Sequence, residues 1–117
     1  MSEYFNWDKE GKCNCGCGMD IVQELKDTLE RARKIAKVPF VVTSGARCEF
    51  HNNNIGGLPT SSHLDGLAVD IACNGGRERF DILNGLCAVG FNRIGVAKTF
   101  IHVDIDTSKA SNVMWMY

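Results

Sequence analysis

Two stretches of the chain, residues 67–72 and 100–106, alternate apolar residues with polar or small ones. Successive side chains of a β-strand point to opposite faces of a sheet, so this alternation predicts two strands that each have one apolar face. Asp70 lies on the opposite face of the first strand, between two alanines, and His102 and Asp104 share the opposite face of the second. Both strands therefore carry chemically reactive side chains on a face that core packing does not need.

The rest of the chain shows two helical patterns and three further strands. Apolar residues at helical spacing predict a helix that begins at Asp20, with Gln23 in the position of a capping-box partner. Residues 38–43, 92–98 and 113–117 are predicted as strands, and Trp115 in the last of these would either pack on the core or line a cleft. A second helix over residues 77–89 is predicted to turn four side chains inward, namely Phe80, Leu83, Leu86 and Cys87. The combined pattern indicates an α+β protein.

Length and charge narrow the class of protein. A chain of 117 residues predicts a single domain over residues 1–117, whose residues 1–18 form an irregular, cysteine-rich segment. The formal net charge of −1, without a basic run, argues against nucleic-acid and membrane partners, and no apolar stretch approaches ~20 residues. The first residues lack the basic start and apolar middle of a secretory signal, which predicts a protein that is cytoplasmic as synthesised. We also expect a monomer.

Three residues are candidate ligands of a metal ion. If the two alternating strands are neighbours in one sheet, Asp70 and His102 converge, and His63 reaches them from the loop before the first strand. Two imidazoles and one carboxylate are a ligand set of catalytic zinc, whose fourth position is left for water. The alternative for each histidine is a structural hydrogen bond, and in a metal-free domain His63 and Asp70 would bond to each other.

These residues belong to a longer series of motifs in a fixed order. The series comprises Val42-Thr43-Ser44-Gly45-Ala46-Arg47, Asn52, Gly56-Gly57, the pattern Ser-x-His-x-x-Gly-x-Ala-x-Asp ending at Asp70, Arg93-Ile94-Gly95 and a hydrophobic-His-Val-Asp strand. Over most of residues 41–106 it resembles the M15-type zinc peptidases, the group of D-alanyl-D-alanine carboxypeptidases and phage endolysins. The resemblance implies a hedgehog/DD-peptidase-like fold, with a small central, mostly antiparallel sheet packed by two helices. It also implies that His63, Asp70 and His102 bind zinc, which activates a water molecule to attack a peptide bond.

Two further catalytic roles are expected. Arg47 carries a planar, permanent charge that suits an oxyanion or a substrate carboxylate, although an arginine at this place could also be structural. Many of the peptidases that the chain resembles place a carboxylate three residues before the last histidine ligand, but Thr99 stands there. Asp104 is the expected substitute as general base, and its alternative role is to orient the imidazole of His102. Asp65 and Asp106 are weaker candidates.

The resemblance implies a substrate among the stem peptides of bacterial peptidoglycan. The expected enzyme is a D,D-carboxypeptidase or an endolysin-type endopeptidase, acting on the cell wall after phage-type release. The competing hypothesis is a zinc-stabilised binding module that keeps the metal and the cleft without turnover. Only the enzyme predicts chelator-sensitive release of D-alanine, or of new amino groups, from purified cell walls.

The cysteines leave several alternatives open. The spacing of Cys13, Cys15 and Cys17 is not that of common zinc knuckles, but together with Cys48 they could form a second, structural metal site. Disulfides and free thiols are the alternatives. Cys73 and Cys87 are predicted to be small buried hydrophobic residues. His51, the third histidine, matches no ligand position and is expected to be structural or adjacent to the substrate.

Overall fold

A computed structural model describes residues 4–117 of the protein. It contains three α-helices, a short 3-10 helix (Ser62–Asp65) and five strands. The helices are α1 (Gln23–Ala36), α2 (Glu49–Asn54) and α3 (Gly76–Ala88). The strands are β1 (Val42–Ser44), β2 (Ala68–Ala72), β3 (Arg93–Val96), β4 (Phe100–Asp104) and β5 (Val113–Met116). The α+β class predicted from the pattern is confirmed.

The five strands form one sheet in the order β1-β2-β4-β3-β5. β1 pairs with β2, β2 with β4 and β4 with β3, all antiparallel, whereas β3 and β5 pair in parallel. The sheet is therefore mixed, and the expectation of a mostly antiparallel sheet is corrected. Because β4 already has a partner on each side, β5 does not pair with it and instead joins the outer edge of β3, where its direction matches that of β3.

The hydrophobic core lies between one face of the sheet and the helices. Along β2 and β4 the fully buried apolar residues are Val69, Ile71, Ile101 and Val103, as the alternation predicts. From the helices, Leu25, Leu29, Ile82 and Leu86 join the same cluster. The apolar stripe of α1 was predicted at these positions, and its burial is confirmed. Since neighbouring residues of a strand point to opposite faces, the other face of the sheet is left for polar side chains.

Both predicted helix patterns need correction. Helix α1 begins at Gln23, because the Asp20 carboxylate accepts hydrogen bonds from the Ile21 N–H and from Lys26 and does not cap the helix. In α3, Phe80 is 70% exposed and Cys87 is also exposed, contrary to the prediction. Leu86 is buried and Leu83 packs partly buried against the core, as predicted, and the other buried residues of α3 are Ile82 and Gly85.

Close packing of α1 against α3 explains why the buried face of α3 differs from the predicted one. A Cβ atom at Gly85 would lie 2.5 Å from the Ala32 carbonyl oxygen of α1, so only glycine permits this approach. Because Gly85 has no side chain, the hydrophobic pattern gave no signal for that contact. The face opposite to Gly85, which contains Phe80, consequently points to solvent.

The segment before α1 is irregular, as predicted, but it packs closely against the rest of the domain. Phe5 is buried in the core and stacks on Trp7, with ring centroids 4.4 Å apart. Further along, the Gly11 carbonyl accepts a hydrogen bond of 2.8 Å from the Ala46 N–H, just after β1. Within residues 4–117 each helix is too short or too polar to cross a bilayer.

Candidate metal centre

A row of paired residues crosses the sheet on the face opposite to the helices. The register pairs Asp70 with His102, His102 with Gly95, and Gly95 with Trp115. Directly paired residues project from the same face of a sheet, so Asp70, His102 and Trp115 lie on one surface. The antiparallel register of β2 and β4 thus brings the two candidate ligands of these strands side by side.

The three candidate ligands meet around one oxygen atom of Asp70. Nε2 of His63 lies 3.3 Å from Oδ1 of Asp70, and Nδ1 of His102 lies 3.1 Å from the same atom. One ligand atom from each residue lies within 4.8 Å of the other two. A tetrahedral zinc site with bonds of about 2.0 Å has ligand atoms about 3.3 Å apart, so these separations suit a shared ion.

His63 is held by the backbone of the loop after β1. Its Nδ1 lies 2.7 Å from the Gly45 carbonyl oxygen, to which the ring donates its proton. The Ser61 hydroxyl accepts a hydrogen bond from the His63 N–H and caps the 3-10 helix that presents the ring. His63 is only 3% exposed. With the proton on Nδ1, the lone pair of Nε2 points toward Asp70, as a metal ligand requires.

His102 is held by a carboxylate on the far side of its ring. Its Nε2 donates to Oδ2 of Asp104 over 2.8 Å, which leaves Nδ1 to face Asp70. Oδ1 of Asp104 accepts from Nε of Arg93 over 2.7 Å and from the Asp106 N–H over 3.1 Å. Asp104 is 1% exposed. Both of its oxygen atoms are therefore occupied, and the carboxylate lies behind the imidazole, away from Asp70.

The charges around these groups oppose the effect of burial. Burial favours the neutral carboxyl, but in the absence of a metal the imidazoles of His102 and His63, in the form that carries a proton on both ring nitrogens, donate hydrogen bonds that outweigh burial and lower the pKa of Asp70. Burial likewise opposes protonation of His102, yet the carboxylates of Asp104 and Asp70 raise the pKa of its imidazole. For Asp104, the bonds from His102, from the Asp106 backbone and from Arg93 lower the pKa despite burial. The centre therefore attracts positive charge.

Arg47 contacts the second oxygen of Asp70. Its Nη2 lies 3.4 Å from Oδ2 of Asp70, while Nε donates to the Ser44 hydroxyl over 3.1 Å and Nη1 to Oδ1 of Asn52 over 3.3 Å. Asn52 is buried and also donates to the Leu58 carbonyl. These bonds place the guanidinium at the edge of the centre, where it can contact both Asp70 and a bound anion.

The candidate ligands open into a cleft of about 440 Å³. Its walls combine apolar or aromatic side chains with three cations, and the principal residues are Leu58, Phe100, Trp115, Tyr117, Arg47, Arg93 and Lys109. The Trp115 ring lies 5.5 Å from the His102 ring, so the alternative in which Trp115 lines a cleft is the one observed. The cleft therefore combines apolar walls with positive charge.

The other carboxylates considered as a base lie away from this cleft. Asp65 is exposed at the end of the 3-10 helix, and Asp106 is buried, where it accepts hydrogen bonds from Ser62 and Ser108. Thr99 is exposed in the turn before β4. Of the carboxylates within residues 4–117, only Asp70 and Asp104 line the cleft.

Some residues of the site carried no clear signal in the sequence. Lys109 reaches the cleft from the loop after β4, where its Nζ bonds to the Thr60 carbonyl and to the Ser62 hydroxyl. Arg93 was noted only as part of a motif, and its contact with Asp104 was not predicted. Its position opposite Asp104 on a neighbouring strand could have suggested the pair, but only with the strand order known.

The cysteines of the N-terminal segment also come together. The sulfur atoms of Cys13, Cys15, Cys17 and Cys48 all lie within 4.8 Å of one another. Cys73 is buried as predicted, whereas Cys87 is not. His51 lies at α2, where its backbone N–H donates to the sulfur of Cys48 and its ring takes no part in the three-residue centre.

Comparison with known proteins identifies the family to which this chain belongs. A family model described as Peptidase M15 matches residues 6–104, which is most of the chain. The matched region contains all three candidate ligands, Arg47 and the four clustered cysteines. No curated protein matches the sequence significantly.

Proposed function

Because the chain belongs to the M15 family of peptidases, we propose that His63, Asp70 and His102 hold its catalytic zinc ion and that its substrates are peptidoglycan stem peptides. The observation that carries this proposal is the convergence of two imidazole nitrogens on one carboxylate oxygen, at 3.3 Å and 3.1 Å. A zinc ion held there supplies Lewis-acid activation of the scissile carbonyl and of a water molecule.

The protein groups around the proposed ligands support this function. The Gly45 carbonyl and the Asp104 carboxylate each accept a hydrogen bond from one ring N–H, so the other nitrogen of each histidine is available to a metal. Such partners orient the ligating imidazole and increase its basicity. We therefore assign Asp104 as a positioning residue for His102, the second of the two roles that the sequence left open. Its occupied oxygens and its place behind the ring do not suit a base that faces the substrate.

Arg47 is proposed to bind negative charge on the substrate. Its guanidinium lines the cleft and already lies 3.4 Å from a carboxylate oxygen of Asp70. A charge-assisted bond from this group to an oxyanion, or to the carboxylate of a terminal D-alanine, is worth a few kcal/mol in a site shielded from water. Lys109 also lines this cleft, as does Arg93, whose Nε bonds to Asp104.

The peptide side chains would lie between apolar walls. Leu58 is 71% exposed at the rim, and Phe100 lies against Tyr117, with ring centroids 5.1 Å apart. These surfaces can bury the methyl groups of alanine residues, while Arg47 and Lys109 bind the carboxylate end. The chemistry of the cleft therefore fits a stem peptide cut as a D,D-carboxypeptidase or as an endolysin-type endopeptidase.

A second candidate function follows from the carboxylates of the cleft. Within residues 4–117, no carboxylate both lines the cleft and has a free oxygen to accept a proton from water. A binding module that retains the metal and the cleft, but not turnover, would also show this arrangement. The two functions share zinc binding and differ in product formation.

Digestion of purified muropeptides by the metal-analysed protein tests the proposal. We expect release of D-alanine or of new amino groups, loss of this activity with a chelator and its recovery with added zinc. The Asp70→Asn variant should lose both the zinc of this centre and the activity, since one of three protein ligands is weakened. The matched control is Asp27→Asn, the same substitution on the exposed surface of α1, which should keep both.

The outcomes separate the candidates. Zinc bound through Asp70 without product from any muropeptide supports the binding module. Retention of this zinc by Asp70→Asn contradicts the assigned ligand set. Free D-alanine indicates a carboxypeptidase, whereas new amino groups without free alanine indicate an endopeptidase.

A further inference from the structure

A second group of potential ligands lies outside the cleft. Cys13, Cys15 and Cys17 belong to the segment before α1, and Cys48 is the N-cap residue of α2. We call these four residues the cysteine cluster. Sulfur–sulfur distances are 3.4 Å between Cys13 and Cys15, 3.6 Å between Cys15 and Cys48, and 3.8 Å between Cys13 and Cys48. The sulfur of Cys17 completes a group in which every pair lies within 4.8 Å.

These distances distinguish between the possible states of the cysteines. A disulfide joins its two sulfur atoms at about 2.05 Å, and all four residues carry free thiols. Four thiolates bound to one zinc ion at about 2.3 Å form a tetrahedron whose edges are about 3.8 Å. The three separations among Cys13, Cys15 and Cys48 lie close to that edge length. The sulfur of Cys17 lies within 4.8 Å of the other three, so four sulfur atoms from two distant parts of the chain lie close enough to share one ion.

The surrounding backbone supplies the hydrogen bonds that thiolates accept. The Cys48 N–H donates to the sulfur of Cys13 over 3.5 Å, and the His51 N–H donates to the sulfur of Cys48 over 3.4 Å. Gly16 and Gly18 have φ angles of +87° and +90°, which lets the segment turn so that alternate cysteines face one point. Cys15 and Cys17 are exposed, so an ion can reach the cluster from solvent.

We propose that the cysteine cluster binds a structural zinc ion, separate from the catalytic centre, that fastens the N-terminal segment to the loop bearing Arg47. Binding converts the four thiols to thiolates and releases their protons to solvent. Cys48 directly follows Arg47, so the ion would hold the backbone next to the guanidinium that contacts Asp70.

The same loop also supports the first histidine of the catalytic centre. Gly11, two residues before Cys13, accepts a hydrogen bond from Ala46, and the neighbouring Gly45 carbonyl accepts the proton of His63 Nδ1. A Cβ atom at Gly45 would overlap the Gly11 backbone, which shows how closely the two segments are packed. Zinc in the cluster therefore stabilises the backbone on which both Arg47 and His63 depend.

Metal analysis of the reduced, full-length protein tests this proposal without any assay of activity. We expect two zinc ions per chain in the wild-type protein and one in the double variant Cys15→Ser, Cys17→Ser. Both of these cysteines are exposed, so the replacement leaves no cavity in the core. The matched control is Cys87→Ser, the same change at an exposed cysteine outside the cluster, which should keep two ions.

Cobalt substitution of the wild-type protein provides a second measurement that needs no variant. Cobalt in a site of four thiolates shows intense sulfur-to-metal charge-transfer absorption, which the nitrogen and oxygen ligands of the catalytic centre cannot produce. We expect this absorption in wild-type and Cys87→Ser proteins and its loss in Cys15→Ser, Cys17→Ser.

Three outcomes would overturn the proposal. They are an unchanged zinc content in the double cysteine variant, iron in place of zinc, or a reduced wild-type protein whose cobalt spectrum lacks the thiolate bands. Asp70→Asn separates this proposal from that of the catalytic centre. If only the cluster binds metal, wild-type and Asp70→Asn proteins each contain one zinc ion, and both the thiolate bands and the dependence on Cys15 and Cys17 remain.

Discussion

At the scale of single residues, the proposed metal centre depends on which nitrogen of each histidine carries a proton. The Gly45 carbonyl accepts a hydrogen bond from Nδ1–H of His63, and the Asp104 carboxylate accepts one from Nε2–H of His102. The two rings therefore present different nitrogens, Nε2 and Nδ1, to Asp70. Strand alternation predicted that His102 and Asp104 share a face, but their hydrogen bond depends on the rotamers of both side chains.

The substitution Asp104→Asn tests the positioning role. An amide of the same shape removes the negative charge behind His102 and weakens the preference for a proton on Nε2. We expect zinc affinity to fall by ~10- to 100-fold, as is usual for partners of metal-bound histidines, and kcat to fall with it. Competition with a zinc-binding dye measures the affinity, and muropeptide hydrolysis measures kcat.

A different result would restore Asp104 as the general base. In that case zinc affinity would stay at the wild-type value, and kcat alone would fall by ~100-fold or more, with loss of the acidic limb of the pH–rate profile. Asp27→Asn serves as control for the change of charge, because Asp27 lies on the exposed face of α1.

At the scale of secondary structure elements, the cleft depends on the pairing of β5 with β3. The parallel register places Trp115 beside Gly95, and the missing side chain at Gly95 lets the indole lie across the sheet toward His102. Arg93 of β3 also stacks on the Trp115 ring, with its Cζ 5.2 Å from the ring centroid. One edge strand thereby forms a wall of the cleft although it contributes no proposed ligand.

Gly95→Ala should disturb this wall and leave the metal in place. The added Cβ would lie 2.5 Å from Nε1 of Trp115 and 2.8 Å from Cε2 of Tyr117, so both rings must move. We expect kcat/KM to fall by ~10- to 100-fold, since small displacements in a binding site have effects of this size. Zinc content should not change, and tryptophan fluorescence should report the movement of Trp115.

Gly76→Ala is the matched control for this experiment. A Cβ atom at Gly76 has no neighbour within 4 Å, and the residue begins an exposed turn of α3. Changed fluorescence with unchanged kcat/KM in Gly95→Ala would show that the Trp115 wall does not contribute to substrate binding, and unchanged fluorescence would contradict the clash expected at Gly95.

At the scale of the whole molecule, the sheet separates two environments. Its apolar face and the long helices form the core, whereas its polar face and the N-terminal segment surround the proposed metal sites. Several charged groups of the polar face have different pKa values in the folded and the unfolded protein, so the stability of the domain should depend on pH. Because zinc would bind only the folded protein, stability should also depend on zinc.

The metal-free protein should be most stable in mildly acidic solution. Asp70, Asp104 and Asp106 have lowered pKa values, so their contribution is complete above about pH 3.9 and is lost as the pH falls through the folded values. His102 has a raised pKa, so its contribution is complete below about pH 6.5 and is lost as the pH rises through the folded value. Thermal unfolding in the presence of a chelator measures this dependence.

Zinc should reverse the trend on the alkaline side, because only neutral His102 can bind a metal. In the Cys15→Ser, Cys17→Ser protein, which retains only the catalytic centre, the rise in Tm caused by zinc should be larger at about pH 8 than at about pH 5. A rise that is equal at both values would contradict the assignment of His102 as a ligand. The same protein with the additional change Asp70→Asn should show little rise at either pH.

The sequence by itself determined the elements, the apolar faces of β2 and β4, and the residues that approach one another in the centre. Alternation carries this information, because burial of one strand face forces its other residues, Asp70 and His102 among them, onto the opposite side. The ordered motifs also pointed to the peptidase family that the family model shows. The sequence pattern was sufficient to predict a feature wherever that feature depends on residues close together in the chain.

Only the tertiary structure decided the features that depend on distant pairs. The edge position of β5, the inward face of α3 at Gly85, and the roles of Arg93 and Lys109 all arise from contacts between segments far apart in sequence. The cysteine cluster is of the same kind, since Cys48 meets Cys13 only because the N-terminal segment packs against the loop after β1. Such contacts follow from how whole elements pack, and hydrophobic periodicity within one element cannot encode them.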